Sequence, residues 1–224
     1  LALTLRDFNA ADPRAAAAKD ALSSLSHAVC YMGLVIHRCL DFARASHGLG
    51  LVPHLEPFAL LDALQMPLNC MRDLASHVAF ELSVQTEELR REGAAVCTDK
   101  AWLTENVFCL LSNAVKHGTR SEGGKVTLRL SVASRQQILP GSEGSAGMLV
   151  AAVEDEGQQG SGQGVSSDLF APLHTRSRKS GGTGLGLFSL AKRCEALGGT
   201  YGVSGSSDSV AGSVFWFTIP YDPC

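Results

Sequence analysis

From Ala21 onward the apolar residues fall at Leu22, Leu25, Val29, Met32, Ile36, Cys39 and Ala43, in alternating steps of three and four. That spacing lines one face of a helix packed in a bundle or coiled coil, and it predicts a single long helix to about Ala45. Asp12-Pro13 reads as the turn ahead of it, and His47-Gly48, with Gly50 and Pro53, stops it. The element is an arm whose apolar seam wants a partner. His27 and His37 lie on it and read as surface or packed residues.

Beyond Pro53 the period is mixed. His54 to Phe58 reads as a short strand, and Leu61, Leu64, Leu68, Met71, Ala75 and Val78 trace one face of a second helix, with Pro67 kinking it or marking its first turn. Phe80 to Gln85 alternates as a strand, TEELRREG is a polar turn, and Ala95 to Cys97 is a brief apolar run before Asp99 caps the next helix. On that helix, Ala101 to His117, the residues Leu103, Val107, Leu110, Leu111 and Ala114 form a core stripe. Asn106, Cys109, Asn113 and Lys116 form an adjoining polar strip, which lines a cleft or is a partly solvated flank. An asparagine inside a helix costs propensity and so invites a reason.

Gly118 ends that helix, Val126 to Val132 alternates as a strand with one wet face, and ASRQQILPGSEGSAG reads as a surface hairpin loop. Met148 to Val153 is the continuous apolar run of a central strand, followed at once by Glu154-Asp155-Glu156-Gly157. A carboxylate where a buried strand ends can accept a hydrogen bond from a ligand amine; the alternative is an ordinary turn. Gln158 to Gly182 is rich in Gly and Ser, anchored by Leu169, Phe170 and Leu173, and reads as a lid. It runs into RSRKSGGTGLGLFSLA, Arg176 to Ala191. There Gly182, Gly184 and Gly186 at a helix start read as a phosphate cradle, with Arg176, Arg178 and Lys179 adding charge; a Gly/Ser hinge with solvated basic residues is the alternative. Leu187, Leu190, Ala191, Cys194 and Leu197 make the inner face of that helix, Gly198-Gly199 caps it, and TYGVSG and VFWFTI are the last strands. The order predicts an α/β two-layer sandwich: a mixed, mostly antiparallel sheet covered on one face by about three helices and preceded by the long N-terminal helix.

Composition narrows the class. At 224 residues and 45% hydrophobic, the chain can bury one good core plus an appendage. A net charge of -3, with Lys and Arg scattered apart from the cluster at Arg176, argues against nucleic acid as a partner. No run approaches the roughly 18 apolar residues of a membrane span, and the N-terminal residues do not read as a secretory signal, so the expectation is a soluble chain without membrane contact. Seven cysteines without a CxxC or paired His spacing argue against a zinc site or disulfide framework and fit a reducing, cytoplasmic compartment.

Four separated segments resemble one family in the right order. ENVFCLLSNAVKHG is similar to the asparagine box of the sensor histidine kinase catalytic domain, VEDEG to its first glycine box, LFAPL to its phenylalanine box and GGTGLGL to its second glycine box. GGTYGVSG and GSVFWFTIP resemble the closing hairpin, and the resemblance runs from about Leu55 to Pro220. LVIHRCLDFARASHG resembles the end of the second helix of the dimerisation and phosphoacceptor domain. The resemblance implies two regions: 1–50 as the C-terminal part of the dimerisation region, and 51–224 as the catalytic ATP-binding domain with a lid at 158–182.

It also implies roles. Asp155 would recognise the adenine amine, with Gly157 letting the base lie against the backbone; Asn113 would ligate Mg2+, and Lys116 would face the phosphates. Gly182, Thr183, Gly184, Leu185 and Gly186 would close over the triphosphate, and Ser213 would lie near the adenine. Two positions depart from the family: Cys109 stands where an asparagine or catalytic glutamate is usual, and Gln159 takes the place of a glycine, with Gly160 one step late. A thiol is a poor magnesium ligand and a poor base, so the departures bear on rate more than on nucleotide binding. No segment matches the S-H-E-L-R-T-P acceptor box; Ser26-His27-Ala28-Val29 shares two residues with it, and no phosphoacceptor is assigned. The function implied is transfer of the ATP γ-phosphoryl to a histidine outside these residues, with a homodimer through the helical region and a response regulator or receiver domain as partners. The alternative is a nucleotide-binding pseudokinase or dimerisation scaffold.

Overall fold

In the computed structural model, residues 13–91, 93–118, 123–138, 147–156, 167–171, 184–205 and 212–222 are described. Pro13 opens the first helix, α1 (Pro13–Ser46), where its fixed φ suits a helix start and its missing N–H costs nothing. Leu22, Leu25, Val29, Met32, Ile36 and Leu40 are exposed along it, so the apolar seam read from the sequence is a seam in fact. The chain divides into two compact units, Leu1–His37 and Arg38–Cys224, and the last residues of α1 belong to the larger one.

Within the larger unit the order is β1 (Glu56–Ala59), α2 (Leu60–Leu74), β2 (Ala79–Val84), α3 (Glu87–Arg90), β3 (Ala95–Thr98) and α4 (Lys100–Asn113). A π-helical turn, Ala114–Gly118, extends α4, and β4 (Lys125–Ser134), α5 (Arg135–Ile138) and β5 (Gly147–Asp155) follow. A 3-10 turn at Ser167–Phe170, α6 (Gly186–Leu197), β6 (Tyr201–Gly205) and β7 (Ser213–Tyr221) complete it. The main sheet runs β2-β4-β5-β7-β6, parallel between β2 and β4 and antiparallel elsewhere. A parallel neighbour requires a crossover, and α4 lies within it. β1 and β3 form a separate antiparallel pair, which the sequence pattern did not disclose as a sheet of its own.

The helices α2, α4 and α6 cover one face, as expected. Period-two alternation aims Val126, Leu128 and Leu130 of β4 inward beside Leu149, Ala151 and Val153 of β5, all at most 1% exposed. Leu60, Leu64 and Leu68 of α2 and Leu103, Val107 and Leu110 of α4 close over them. Asp99 caps α4 as predicted: one carboxylate oxygen accepts from Trp102 N at 2.9 Å and the other from His54 N at 2.8 Å. Pro67 lies inside α2.

Two local expectations need correction. TEELRREG is not only a turn: Glu87–Arg90 is helical because Leu89, 0% exposed, anchors it and two acidic residues occupy its first turn. Ser134 is still strand and Arg135–Ile138 is helix, so the loop expected from Ala133 is shorter than read; residues 139–146 lie outside the described residues.

Candidate functional site

Asp155 is the last residue of β5, and the alternation that buries Leu149, Ala151 and Val153 puts it on the same inward face, 4% exposed. Two glycines make room for it. A Cβ at Gly118 would collide with the Asp155 carboxylate, and one at Gly212 would collide with the Asp155 carbonyl oxygen. Ser213 stands directly across the ladder from Asp155. On the other face Glu154 is ion-paired with Arg129, which separates the two adjacent carboxylates by role. The π-helical turn carries Gly118 to this place. Such turns insert one extra residue per hydrogen bond and re-aim the backbone, often at functional sites, and here the re-aiming brings the end of α4 onto β5.

One and a half turns back along α4 lies Asn113, half-buried, its amide donating weakly to Cys109 Sγ at 4.0 Å. Lys116 is exposed within the π-helical turn. The polar strip expected to line a cleft divides: Asn113 and Lys116 are accessible, whereas Asn106 and Cys109 are 1% and 3% exposed. Asn106 instead ties α4 to α6, its amide 3.8 Å from Cys194 Sγ. Burial pushes the Cys109 thiol above its ordinary range, although Arg38, Arg193 and Lys116 pull the other way, so the group at this position is a neutral thiol near pH 7.

Gly184 has φ +70°, a left-handed conformation that glycine adopts freely, and it turns the chain into α6. Leu185 occupies the cap position and its apolar side chain makes no capping hydrogen bond, so among the described residues the start of α6 carries no side-chain cap, and helix starts of this kind attract anions. Gly186 packs on α4: a Cβ there would stand 2.9 Å from Cys109 Sγ. One helix therefore touches both ends of the site. It meets the start of α6 at Cys109 and Asp155 at Gly118, roughly 13 Å further along at 1.5 Å per residue, with Asn113 between. Asp155, Ser213, Asn113, Lys116, Gly184, Leu185 and Gly186 are thus brought to one side of the unit. Gly157, Gln159, Gly160, Arg176, Arg178, Lys179, Gly182 and Thr183, with most of the lid at 158–182, lie outside the described residues.

A charged cluster that the sequence reading missed braces this arrangement. Arg193 of α6, 2% exposed, stands 2.9 Å from Asp41 of α1 and 2.5 Å from Glu105 of α4. Beside it the rings of Phe42 and Phe188 meet edge to face at 5.8 Å. Burial raises the Asp41 pKa despite the Arg193 charge. The inner face of α6 is consequently wider than predicted, with Phe188, Ser189 and Arg193 buried beside Leu190, Ala191 and Cys194. The only signal was the aspartate in LDFARAS, whose partner lies over a hundred residues away.

The family described as histidine kinase-, DNA gyrase B- and HSP90-like ATPases matches residues 98–223, more than half of the chain. The chain belongs to this ATPase family. Among curated relatives it is 28% identical over 193 residues to the sensor histidine kinase AruS of Pseudomonas aeruginosa, covering 83% of this chain and 17% of AruS. It is 31% identical over 189 residues to the sensor protein GacS of Pseudomonas syringae pv. syringae, covering 83% of this chain and 19% of GacS. The chain therefore spans about a fifth of the length of these relatives. Among solved structures, full-length ShkA in complex with AMPPNP aligns with a TM-score of 0.62 at 23% identity, over 92% of this chain and 37% of ShkA. The histidine kinase AdeS of Acinetobacter baumannii aligns with a TM-score of 0.59 at 20% identity, over 90% and 84% of the two chains. At these identities the structures speak for the fold, and the ATPase fold they share is the one described above.

Proposed function

We propose that this chain is the catalytic part of a sensor histidine kinase, which binds ATP with Mg2+ and presents the γ-phosphoryl to a histidine that is not assigned within residues 1–224. The observation that carries the reading is the placement of Asp155 and the uncapped start of α6 at two points on α4, with Asn113 between them. Asp155 accepts from the exocyclic amine of adenine, and Gly118 and Gly212 leave the space that the Asp155 carboxylate and carbonyl occupy. The N–H groups at the start of α6, with Gly182, Thr183, Gly184, Leu185 and Gly186, surround the phosphates, and Lys116, Arg176, Arg178 and Lys179 add charge.

Among the described residues no group of three or more His, Cys, Asp and Glu could hold a metal by itself. That fits Mg2+, which keeps several waters and is held by one or two protein oxygens together with phosphates; Asn113 offers one. The ion would supply charge neutralisation at the triphosphate. No helix among the described residues is long and apolar enough to cross a membrane, and we place the domain on the cytoplasmic side by its likeness to sensor kinases. The exposed seam of α1 is the surface through which two copies would pair, and a response regulator or receiver domain would take the phosphoryl onward.

Calorimetric titration with ATP and Mg2+ tests the site. Asp155→Asn should weaken binding by at least about tenfold, the worth of one charge-assisted hydrogen bond; unchanged affinity refutes the assignment. The scaffold alternative rests on Cys109 and Gln159, and transfer of acid-labile label from ATP to a longer chain with an acceptor helix decides against it.

A further inference from the structure

Arg38 is placed where no sequence motif asks for an arginine. It lies on α1 one turn before Asp41 and belongs to the larger compact unit. Its guanidinium reaches the first residue of α6: a Cβ on Gly186 would stand 3.5 Å from Arg38 Cζ and from Nη1. Arg38 Nη2 is buried and makes no hydrogen bond among the described residues. Asp41 and Glu105 each pair with Arg193.

A helix N-terminus carries a partial positive charge, so a cation is the wrong neighbour for it unless an anion joins them. Among the described residues, the start of α6 has no acidic residue in its first turn and no side-chain cap from Leu185 to play that part. If Asp155 holds the base at the Gly118 end of α4, a triphosphate runs back along the helix past Asn113, and its distal phosphate arrives at Cys109, Gly186 and Arg38. Position 109 supplies only a buried thiol, which can neither neutralise nor orient a phosphoryl group.

We propose that Arg38 is a terminal-phosphate ligand: a guanidinium carried in on α1 that, with the N–H groups of α6, binds the γ-phosphoryl of ATP and supplies a positive charge that the buried thiol at position 109 cannot. This rests on the nucleotide reading above. It makes the site sensitive to the seating of α1, because the same turn that holds Asp41 on Arg193 holds Arg38 on Gly186. A planar fork suits three phosphate oxygens better than a point charge does.

The test compares AMPPNP with ADP on the whole chain, by calorimetry with Mg2+. Wild type binds both. In Arg38→Gln the affinity for AMPPNP falls at least about tenfold, as for loss of a charge-assisted hydrogen bond, while that for ADP stays within about twofold. An equal loss for both nucleotides, or no loss for either, overturns the assignment and leaves Arg38 as packing between α1 and Gly186. Arg38→Lys, which keeps the charge should Arg38→Gln fold poorly, gives a smaller loss confined to AMPPNP; a loss shared with ADP again overturns it. A wild-type chain that binds neither nucleotide overturns the nucleotide reading itself, and this proposal with it.

Discussion

Replacing Arg193 with methionine keeps most of the volume and helix propensity of the side chain but strips two buried carboxylates of the cation between them. Asp41 and Glu105 are 6% and 8% exposed and Arg193 is 2% exposed, so solvent cannot take over the neutralisation. Breaking a buried pair by deleting one partner costs about 3–5 kcal/mol. Protonation of Asp41 limits the loss, because burial already raises its pKa and Arg193 holds it down. An unfolded Asp41 titrates near 3.8, and the folded one titrates higher still in the variant. Between those two values the folded state holds a proton that the unfolded state releases, so stability falls as pH rises through the window and is recovered as pH falls. Arg193→Met should therefore lose about 3 kcal/mol near pH 8, an about 6–12 °C drop in Tm for a unit of this size. The deficit should shrink by about pH 5. Urea and thermal unfolding at the two pH values measure it. Adding Asp41→Leu and Glu105→Met should restore most of the stability, since an apolar replacement of a whole buried cluster is close to neutral. A deficit under about 1 kcal/mol, or one that grows on acidification, would show that Arg193 does not compensate these carboxylates.

Gly118→Ala puts a methyl group into the Asp155 carboxylate, so ATP affinity should fall about tenfold with a stability loss of about 1–3 kcal/mol; affinity equal to wild type would mean that the carboxylate is not held at this spot. Cys109→Asn restores an amide where the thiol is buried and neutral, and phosphoryl transfer to an acceptor helix, followed as acid-labile label, should rise by at least about tenfold; no gain would show that position 109 is not the handicap. Burial, with its hydrogen bond to Glu195 at 2.9 Å, pushes the Tyr201 phenol up to about 12, so its phenolate absorbance should appear late in a titration and earlier in Glu195→Gln. Ionisation of Tyr201 is harder folded than unfolded, so its contribution to stability is lost as pH rises from 10.0 toward about 12.

Most of the architecture was legible because it rests on local periodicity. The three-and-four spacing from Leu22 to Ala43 gave α1, the alternation of Val126 to Val132 gave β4, and the apolar run from Met148 gave a central strand ending at Asp155. The site was legible in part for the same reason: a carboxylate at a strand end and glycines at a helix start are chain-local features. Three things were not. Whether Asn106 and Cys109 faced a cleft or the core depended on α6 packing against α4, which helical spacing does not encode. The Arg193 cluster depends on pairing across Asp41, Glu105 and Arg193, and each residue alone looks like a solvated charge. The π-helical turn that carries Gly118 onto Asp155 replaces a helix end that any propensity argument would leave α-helical.

If Asp155 reads the exocyclic amine of a purine, it must discriminate against inosine triphosphate, which differs from ATP at that position by carrying an oxo group instead. The deciding measurement is the ratio of ATP to inosine triphosphate affinity, in wild type and in Asp155→Asn. Wild type should favour ATP by at least about tenfold, and Asp155→Asn should abolish or reverse the preference. Equal affinities in wild type, or a preference that survives Asp155→Asn unchanged, would contradict the account.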